Sequence, residues 1–274
     1  RNLIGQIAAA RATLALTRYD VDTMLAQSRR ALAYLDPSSL SSRGNANWTL
    51  GYSYVLQGDR TEARRALLEA IVLSRQSGAI FTLILASIGL GNVQEADNQL
   101  YQAAETYQNI LRLAGEQPQQ IIHEAHLGMA RIFYQWNDLD AAEQHARKSI
   151  QLARQYDVQV IDRFILCEVF LARVKRAQGD LTSAQAILAQ EYLAHLRSYP
   201  LAMSRDNAPG HLTGSALVVD EDRTRTLLTL HPRVGRWLQL GGHCEPADLS
   251  LRGTALREAR EESGIDGVTI SDEP

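Results

Sequence analysis

Three glutamates near the end of the chain have the residue type and spacing to hold a divalent metal ion. Glu258, Glu261 and Glu262 stand at positions i, i+3 and i+4, so on a helix their carboxylates would share one face. Like charges this close repel one another, and hard carboxylate oxygens are the ligands that Mg²⁺ or Mn²⁺ prefers. A bound metal would neutralise the cluster and hold the phosphates of a substrate. For these residues taken alone, a solvated charged helix is the alternative.

A short strand, a glycine pair and a helix are expected to position these glutamates. Trp237–Leu240 predicts a strand that leads into Gly241 and Gly242. The helical period returns from about Leu249 to Ser263, and Gly264 is a natural helix end. The sequence therefore predicts a glycine loop followed by an acidic helix.

One face of that helix is apolar and one arginine lies among its acids. Leu251, Ala255 and Ala259 form a stripe that can pack on a sheet. Arg257 is expected to pair with Glu261 one turn later, which relieves part of the charge repulsion.

The segment from Gly242 to Ile265 resembles the Nudix box. It carries Arg-Glu-x-x-Glu-Glu-x-Gly-Ile, starting at Arg257, after a glycine loop delivered by a strand. Asp248 stands where that family usually has Glu, and the spacer of eight residues between Asp248 and Arg257 is one longer than usual. The resemblance implies a Nudix-type α-β-α sandwich that hydrolyses a nucleoside diphosphate-linked substrate with Mg²⁺ or Mn²⁺.

The resemblance also implies a role for individual residues. The metal ligands would be Glu258, Glu261 and Glu262. The catalytic residues would be Glu261, Glu258 and Arg257, with Arg257 orienting the glutamates through a salt bridge. The substrate-binding residues would be Gly241, Gly242 and His243. His231 also flanks the expected mouth of the site, and Cys244 is expected to be a packing residue.

Two strand-like runs precede the glycine pair. His211–Val219 and Thr224–Leu230 are separated by the polar turn Asp220–Arg223, which predicts an antiparallel hairpin. The stretch 210–274 is shorter than a common domain of roughly 100 residues or more. We therefore expect an incomplete α/β segment, and a chain without an initiator Met is expected to be a fragment or a processed chain.

The first 190 residues predict a repeat of helix pairs. Ala, Leu, Gln, Arg and Glu dominate this part, and a turn-like residue recurs roughly every 40 positions. These turn residues are Tyr19, Gly58, Asn98, Asn137 and Gly179. Small residues such as Gly51 and Gly91 would let paired helices approach, and neighbouring pairs would stack into a superhelix.

This pattern resembles a tetratricopeptide-like repeat, and more closely the sensor domain of MalT-type activators of the LuxR family. The resemblance implies an all-α superhelix that binds a protein, a peptide or a small effector. In that family the repeat lies between an ATPase module and a DNA-binding helix-turn-helix. Neither module is present here and the formal charge is −3, so no direct nucleic-acid binding is expected.

Aromatic residues and histidines of the repeat leave two interpretations open. The first interpretation of the aromatic residues is that they line a binding groove, and the second, which is favoured, is that they fill space between helices. These residues are Trp48, Tyr52, Tyr54, Phe133, Tyr134 and Trp136. Three histidines, His123, His126 and His145, could bind a metal ion or pack between helices. Packing is again favoured, because no clustered carboxylate or Cys completes a metal site.

Length and composition predict the overall organisation. The 274 residues suggest a repeat domain over 1–190, a helical linker over 191–209 and a Nudix-type segment over 210–274. Cys167 and Cys244 fall in different domains, so we expect no disulfide and a reducing cytoplasm. No apolar run is long enough for a membrane span.

Three functional hypotheses remain. The first is a Mg²⁺-dependent hydrolase with a regulatory or docking repeat domain. The second is a non-catalytic scaffold from a transcriptional regulator that binds a protein or effector and carries an inactive Nudix remnant. The third is a Nudix-like ligand sensor within a regulator.

Overall fold

The computed structural model describes residues 1–114, 121–155, 161–207, 210–231 and 235–271, with the backbone alone for 161–165. The end of the expected linker, Ala208 and Pro209, and the last three residues of the expected Nudix segment lie outside these ranges. Contacts divide the chain into two compact units, Arg1–Leu188 and Ala189–Pro274.

The first unit is built from antiparallel helix pairs, and its last helix continues into the second unit. In chain order the described helices are α1 (Asn2–Leu16), α2 (Val21–Tyr34), α3 (Leu40–Gln57), α4 (Arg60–Ser77), α5 (Ile80–Ala96), α6 (Leu100–Ala114), α7 (Ile122–Gln135), α8 (Leu139–Gln155), α9 (Ile161–Ala177) and α10 (Leu181–Ser198). From α1 to α9 each helix packs mainly on its neighbours in sequence, which is the arrangement of a stacked repeat. Within the described residues no helix is both long and apolar enough to cross a bilayer.

The turn inside each helix pair is made by the residue that the sequence predicts. The backbone φ is 52° at Tyr19, 80° at Gly58, 58° at Asn98, 59° at Asn137 and 82° at Gly179. A left-handed residue ends a helix by turning the chain back, and Gly or Asn adopts that conformation at least cost. The five predicted turn positions are confirmed, including the unfavourable Tyr19.

Small residues bring the helices of the repeat into close contact, as predicted. A Cβ atom added at Gly51 on α3 would lie 2.7 Å from Leu67 Cγ on α4. One repeat later, a Cβ at Gly91 on α5 would lie 2.5 Å from Tyr107 Cε1 on α6. Gly128 on α7 lies on the other side of that ring, where an added Cβ would be 2.4 Å from Tyr107 Cζ. The fully buried Tyr107 therefore occupies a slot that two glycines leave open.

A polar network joins α5, α6 and α7 around the hydroxyl group of Tyr107. This hydroxyl donates to Asn92 Oδ1 at 2.8 Å, and Arg131 donates to the same oxygen at 3.0 Å. Arg131 Nε also lies 2.8 Å from both carboxylate oxygens of Glu95. Burial raises the pKa of Tyr107, so its hydroxyl keeps its proton and remains a donor.

The packing interpretation holds for most of the aromatic residues singled out above. Trp48 and Tyr54 are buried in the core between α3, α4 and α5. Phe133 packs against the core of α5–α7, and Tyr134 meets Phe170 edge-on with ring centroids 5.8 Å apart. Trp136 remains 37% exposed and packs beside Tyr101, with centroids 5.2 Å apart. Tyr52 is partly buried on α3.

The histidines pack between α7 and α8. His123 is buried, and the Nδ1 atoms of His126 and His145 lie 3.0 Å apart. Among the described residues no three His, Cys, Asp or Glu side chains are grouped to hold a metal ion. Burial, helped by the neighbouring His145, lowers the pKa of His126 to about 4, and burial also lowers the pKa of His145. Both rings are therefore neutral near pH 7, and across the contact one Nδ1 donates its proton while the other accepts it.

The second unit contains short strands and one further helix. The described elements are β1 (Thr213–Ala216), β2 (Val218–Val219), β3 (Thr226–Leu227), β4 (Thr229–His231), β5 (Arg236–Leu238), β6 (Leu240–His243) and α11 (Leu251–Ser263). They form three antiparallel two-stranded ladders, β1–β6, β2–β3 and β4–β5.

The predicted hairpin was wrong in its extent. Only β2 and β3 pair as expected, whereas β1 pairs with β6 so that Thr213 faces His243 and Ala216 faces Leu240. Leu217 separates β1 from β2 and is 68% exposed, so the run that looks continuous changes partner at this residue. Period-2 patterning marks strands but does not name their partners.

The predicted third strand is also divided. Its first part belongs to β5, and Leu240 begins β6, which continues through Gly241 and Gly242. These glycines therefore lie in a paired strand rather than in a loop, opposite Ser215 and Gly214. Gly242 is needed because α11 approaches the strand there, and Gly241 because a Cβ at this position would meet Ser215 of β1.

Candidate functional site

Helix α11 lies directly on the β1–β6 ladder because two paired glycines make room for it. A Cβ at Gly242 would lie 2.4 Å from the carboxylate of Glu258. A Cβ at its partner Gly214 would lie 2.8 Å from the backbone nitrogen of Ala255. Ala255 and Ala259 are buried against the strands, as the apolar stripe predicts, whereas Leu251 at the helix start is 37% exposed.

Hydrogen bonds connect the loop before α11 to the first turn of the helix. Ser250 caps the helix by accepting a hydrogen bond from Gly253 N at 3.1 Å. Asp248 Oδ2 accepts from Glu245 N and from Thr254 Oγ1, each at 2.9 Å. Asp248 therefore ties its own loop to the helix, although it is shorter than the Glu that the resemblance leads one to expect.

Arg257 connects the strand, the loop and the acidic face of α11. Its guanidinium donates to both oxygens of Asp248, at 3.1 and 2.9 Å, and to the carbonyl oxygen of His243 at 2.8 Å. Its third nitrogen donates to Glu258 at 3.1 Å and to Glu261 at 3.0 Å. The predicted pairing of Arg257 with Glu261 is present. A planar fork of five donors can satisfy this many acceptors, which an ammonium group cannot.

The charges at this centre are strongly coupled. The hydrogen bonds from Arg257, followed by that from Glu245 N, hold the pKa of Asp248 well below its usual range. Asp248 in turn raises the pKa of Arg257. Both groups are therefore ionised across the pH range in which proteins are studied.

The three glutamates share one face of α11 but do not converge. Glu258 and Glu261 both lie at Arg257, whereas Glu262 accepts a hydrogen bond from Gly241 N at 3.1 Å. The side chain of Glu258 is 15% exposed and that of Glu261 is 59% exposed. The donor set, three carboxylates at helical spacing, fits a hard divalent cation. Glu261 has the solvent space to change rotamer toward one.

The predicted histidines lie at different places. His243 in β6 lies beside His211, with ring centroids 4.9 Å apart, and burial, with smaller effects from Arg205 and His211, lowers its pKa. His231 ends β4 and pairs with Arg236 of β5. Cys244 is not in a disulfide, and its Sγ lies 3.6 Å from Leu212 O, a packing position.

Three further residues of this site were not predicted from the sequence. Gly214 makes room for α11, Thr254 binds Asp248, and His211 packs against His243. A glycine inside a strand-like run often marks a close approach of backbone, so Gly214 carried a usable signal. His211 meets His243 only because distant segments pair, and Thr254 meets Asp248 only because of how the loop before α11 folds, so neither carried such a signal.

Two family models match the chain. The MalT-like TPR region matches residues 5–208, and the NUDIX domain matches residues 210–272. The chain belongs to the family of proteins with a MalT-like TPR region. In this chain the TPR region is followed by a Nudix domain.

Relatives support the first assignment. The HTH-type transcriptional regulator MalT of Yersinia pestis (strain Pestoides F) is 27% identical over 203 residues, which is 73% of this chain and 22% of the relative. MalT of Vibrio cholerae serotype O1 is 26% identical over 189 residues, 68% of this chain and 21% of the relative. The chain thus spans about a fifth of the length of these curated relatives.

Solved structures show the same fold for the repeat. The Rap conjugation gene regulator of plasmid pLS20, in complex with the Phr* peptide, has a TM-score of 0.57 at 12% identity and covers 70% of this chain and 53% of that chain. BtubC from P. vanneervenii has a TM-score of 0.55 at 17% identity and covers 77% and 84%. The predicted fold class, a tetratricopeptide-like superhelix followed by a small strand-containing Nudix segment, is confirmed.

Proposed function

We propose that the Nudix segment hydrolyses a diphosphate linkage in a nucleoside diphosphate-linked compound with the help of Mg²⁺ or Mn²⁺. The observation that carries the proposal is the Arg257 network, which fixes the acidic face of α11 relative to Gly242 and the Asp248 loop. A solvated charged helix would not need an arginine with this many partners. The match to the NUDIX family over residues 210–272 supports the same activity.

In this proposal the three glutamates Glu258, Glu261 and Glu262 hold the divalent cation. When bound, the cation supplies charge neutralisation on the diphosphate and a more acidic water. Arg257 positions Glu258 and Glu261 and compensates their charge before the cation arrives. The backbone at Gly241 and Gly242, with the ring of His243, contacts the substrate where β6 passes under α11.

The test is a substitution that removes one charge from the acidic face and leaves the fold intact. Glu261→Gln keeps the size of an exposed side chain, and Glu221→Gln removes a charge from the exposed turn after β2 as the control. We expect the full chain to release monophosphate or phosphate from a mixed panel of nucleoside diphosphate derivatives with Mg²⁺. Glu261→Gln should reduce the rate at least a hundredfold, whereas Glu221→Gln should not.

Turnover that is absent, or equal in the wild type and Glu261→Gln, would contradict the hydrolase. Mn²⁺ binding by isothermal titration separates the two steps, because a chain that binds Mn²⁺ through Glu261 without turnover is a sensor. A chain that does neither is the scaffold with an inactive Nudix remnant, the alternative favoured by relatives that are transcriptional regulators.

We further propose that the repeat domain binds a protein or small effector and so docks or regulates the Nudix segment. A neighbour with the same fold was solved with a peptide, which supports this role for the repeat. Neither Cys167 nor Cys244 is in a disulfide, which suits the reducing cytoplasm as the compartment.

A further inference from the structure

A groove runs between α4 and α6, with α5 as its floor. Its volume is about 840 Å³, and it lies on the face of the repeat formed by the second helices of the pairs. The aromatic residues for which a groove lining was the alternative to packing, including Trp48 and Tyr54, lie on first helices or directly after one and do not line this groove. A volume of this size lies in the range typical of ligand-binding clefts.

The sides of this α4–α6 groove carry apolar side chains that the fold leaves in solvent. Leu68 and Val72, one turn apart on α4, are 46% and 48% exposed. Leu113 on α6 is 47% exposed, and Ile80 at the start of α5 is 38% exposed. Single exposed apolar residues are common, but four that face one cleft form a patch of the kind that marks an interaction site.

One end of the α4–α6 groove is positively charged. Arg75 and Arg112 line it within the last turns of α4 and α6, and these two helices run in the same direction because each is the second of its pair. Arg112 donates to Asn109 Oδ1, and no carboxylate of the described residues forms an ion pair with either arginine. Within the described residues, an acidic group placed at this end would therefore displace no ion pair of Arg75 or Arg112.

We propose that the α4–α6 groove binds a short amphipathic helix of a partner protein, with an acidic residue at the arginine end. The stretch from Leu68 to Arg75 is about 10 Å of helix, enough for roughly two turns of a partner laid along it. Leu or Ile side chains one turn apart would contact Leu68, Val72 and Leu113, which is the usual way a helix occupies an apolar groove. This inference rests on the proposed partner role of the repeat and not on hydrolysis.

The probe is a fluorescein-labelled helical peptide with blocked ends. It has an Ala, Gln and Lys background, Leu residues at i, i+4 and i+7, and two Glu residues in one terminal turn. A second peptide has the Glu pair in the other terminal turn, and a third has Gln in place of Glu. We expect fluorescence anisotropy with the full chain to show one acidic peptide binding at least fivefold more tightly than the Gln peptide.

Variants of groove residues separate the apolar from the charged contribution to peptide binding. Val72→Asp should weaken binding of all peptides at least tenfold, because it places a charge among the apolar contacts. Arg75→Gln and Arg112→Gln should each reduce the preference for the acidic peptide while changing the Gln peptide little. Arg65→Gln, on α4 outside the groove, and Leu14→Asp, on an exposed face of α1, are the matched controls.

Equal binding to the wild type and Val72→Asp would overturn the proposal, as would equal binding of acidic and Gln peptides. A second copy of the chain as the occupant would also overturn it, and sedimentation velocity would show this as an oligomer that Val72→Asp disperses. Thermal unfolding of each variant guards against misfolding, since a midpoint unchanged within a few degrees shows that binding alone was lost. Hydrolysis of the substrate panel should be the same in every groove variant, so either proposal can fail alone.

Discussion

At the scale of single residues, Gly242 and Arg257 have the largest consequences for the candidate site. Gly242 lets the Glu258 carboxylate lie against the strand, and Arg257 ties that carboxylate to Asp248. The sequence motif led to both residues. It could not show that Asp248, one carbon shorter than expected, still reaches Arg257 through both oxygens, because that depends on how the loop folds.

Replacing Gly242 with alanine should disrupt the acidic face without touching an acidic residue. The added Cβ would lie 2.4 Å from Glu258, so either the carboxylate or the helix must move. We expect at least a tenfold loss of hydrolysis and a fall of about 1–3 kcal/mol in the free energy of unfolding. Activity and urea unfolding measure the two effects.

Gly267→Ala is the control, because no atom lies within 4 Å of the Cβ that it would add. It should leave both quantities unchanged. A Gly242→Ala enzyme with normal activity would mean that Glu258 does not need its place over β6.

The His126–His145 contact should make stability depend on pH. The folded protein holds the pKa of His126 at about 4, below its value of roughly 6.5 in an unfolded chain. Between these two pH values His126 is protonated in the unfolded chain and neutral in the folded protein. The free energy of unfolding that is present above pH 6.5 is therefore lost as the pH falls toward 4. The loss is at most about 1.4 kcal/mol per pH unit, reduced by partial exposure of the ring.

His126→Gln removes this titration, so the measurement is the difference between the wild-type and variant unfolding free energies from pH 7.5 to 4.5. The wild type should lose stability more steeply below pH 6.5. Leu14→Gln, on an exposed face of α1, is the comparison variant; it removes no titratable group and should keep the wild-type slope. Parallel curves for all three proteins would show that the histidine pair does not titrate as described.

At the scale of elements, the slot for Tyr107 determines how closely neighbouring helices pack. Gly91→Ala should destabilise the repeat by about 1–3 kcal/mol, because the new Cβ would lie 2.5 Å from the ring. Circular dichroism during urea unfolding would measure this. In a Gly91→Ala, Tyr107→Leu double variant the smaller side chain makes room, so the cost of the glycine change should fall by at least 0.5 kcal/mol. Additive costs would contradict the direct contact.

The helices were more predictable than the strands. A turn such as that at Gly58 or Asn98 needs a left-handed residue, and this local requirement is visible in the sequence. The pairing of β1 with β6 joins residues more than twenty positions apart, and the local pattern around Leu217 favours the wrong partner. The glycine pair of β6 was misread as a loop for the same reason, since the partner strand and α11 determine its conformation.

At the scale of the whole molecule, the division near residues 188–209 has a testable consequence. The residues after α10, up to Asn207, form turns rather than a helix, and Arg205 is exposed there. Limited trypsin digestion should therefore cut first near Arg205 and release a repeat fragment and a Nudix fragment, identifiable by mass. Initial cuts within α1–α8 would contradict the proposed linker over 191–209.

The ring of Tyr107 touches glycines of the helix before it and the helix after it, so one side chain belongs to two repeats at once. In a linear array most stability comes from such interfaces between neighbours. Opening α7 would leave the Tyr107 ring with an empty side, so α5, α6 and α7 should open as one cooperative segment with a common hydrogen-exchange rate in their interior amides. The repeat region would then respond to a local disturbance in blocks larger than a helix pair.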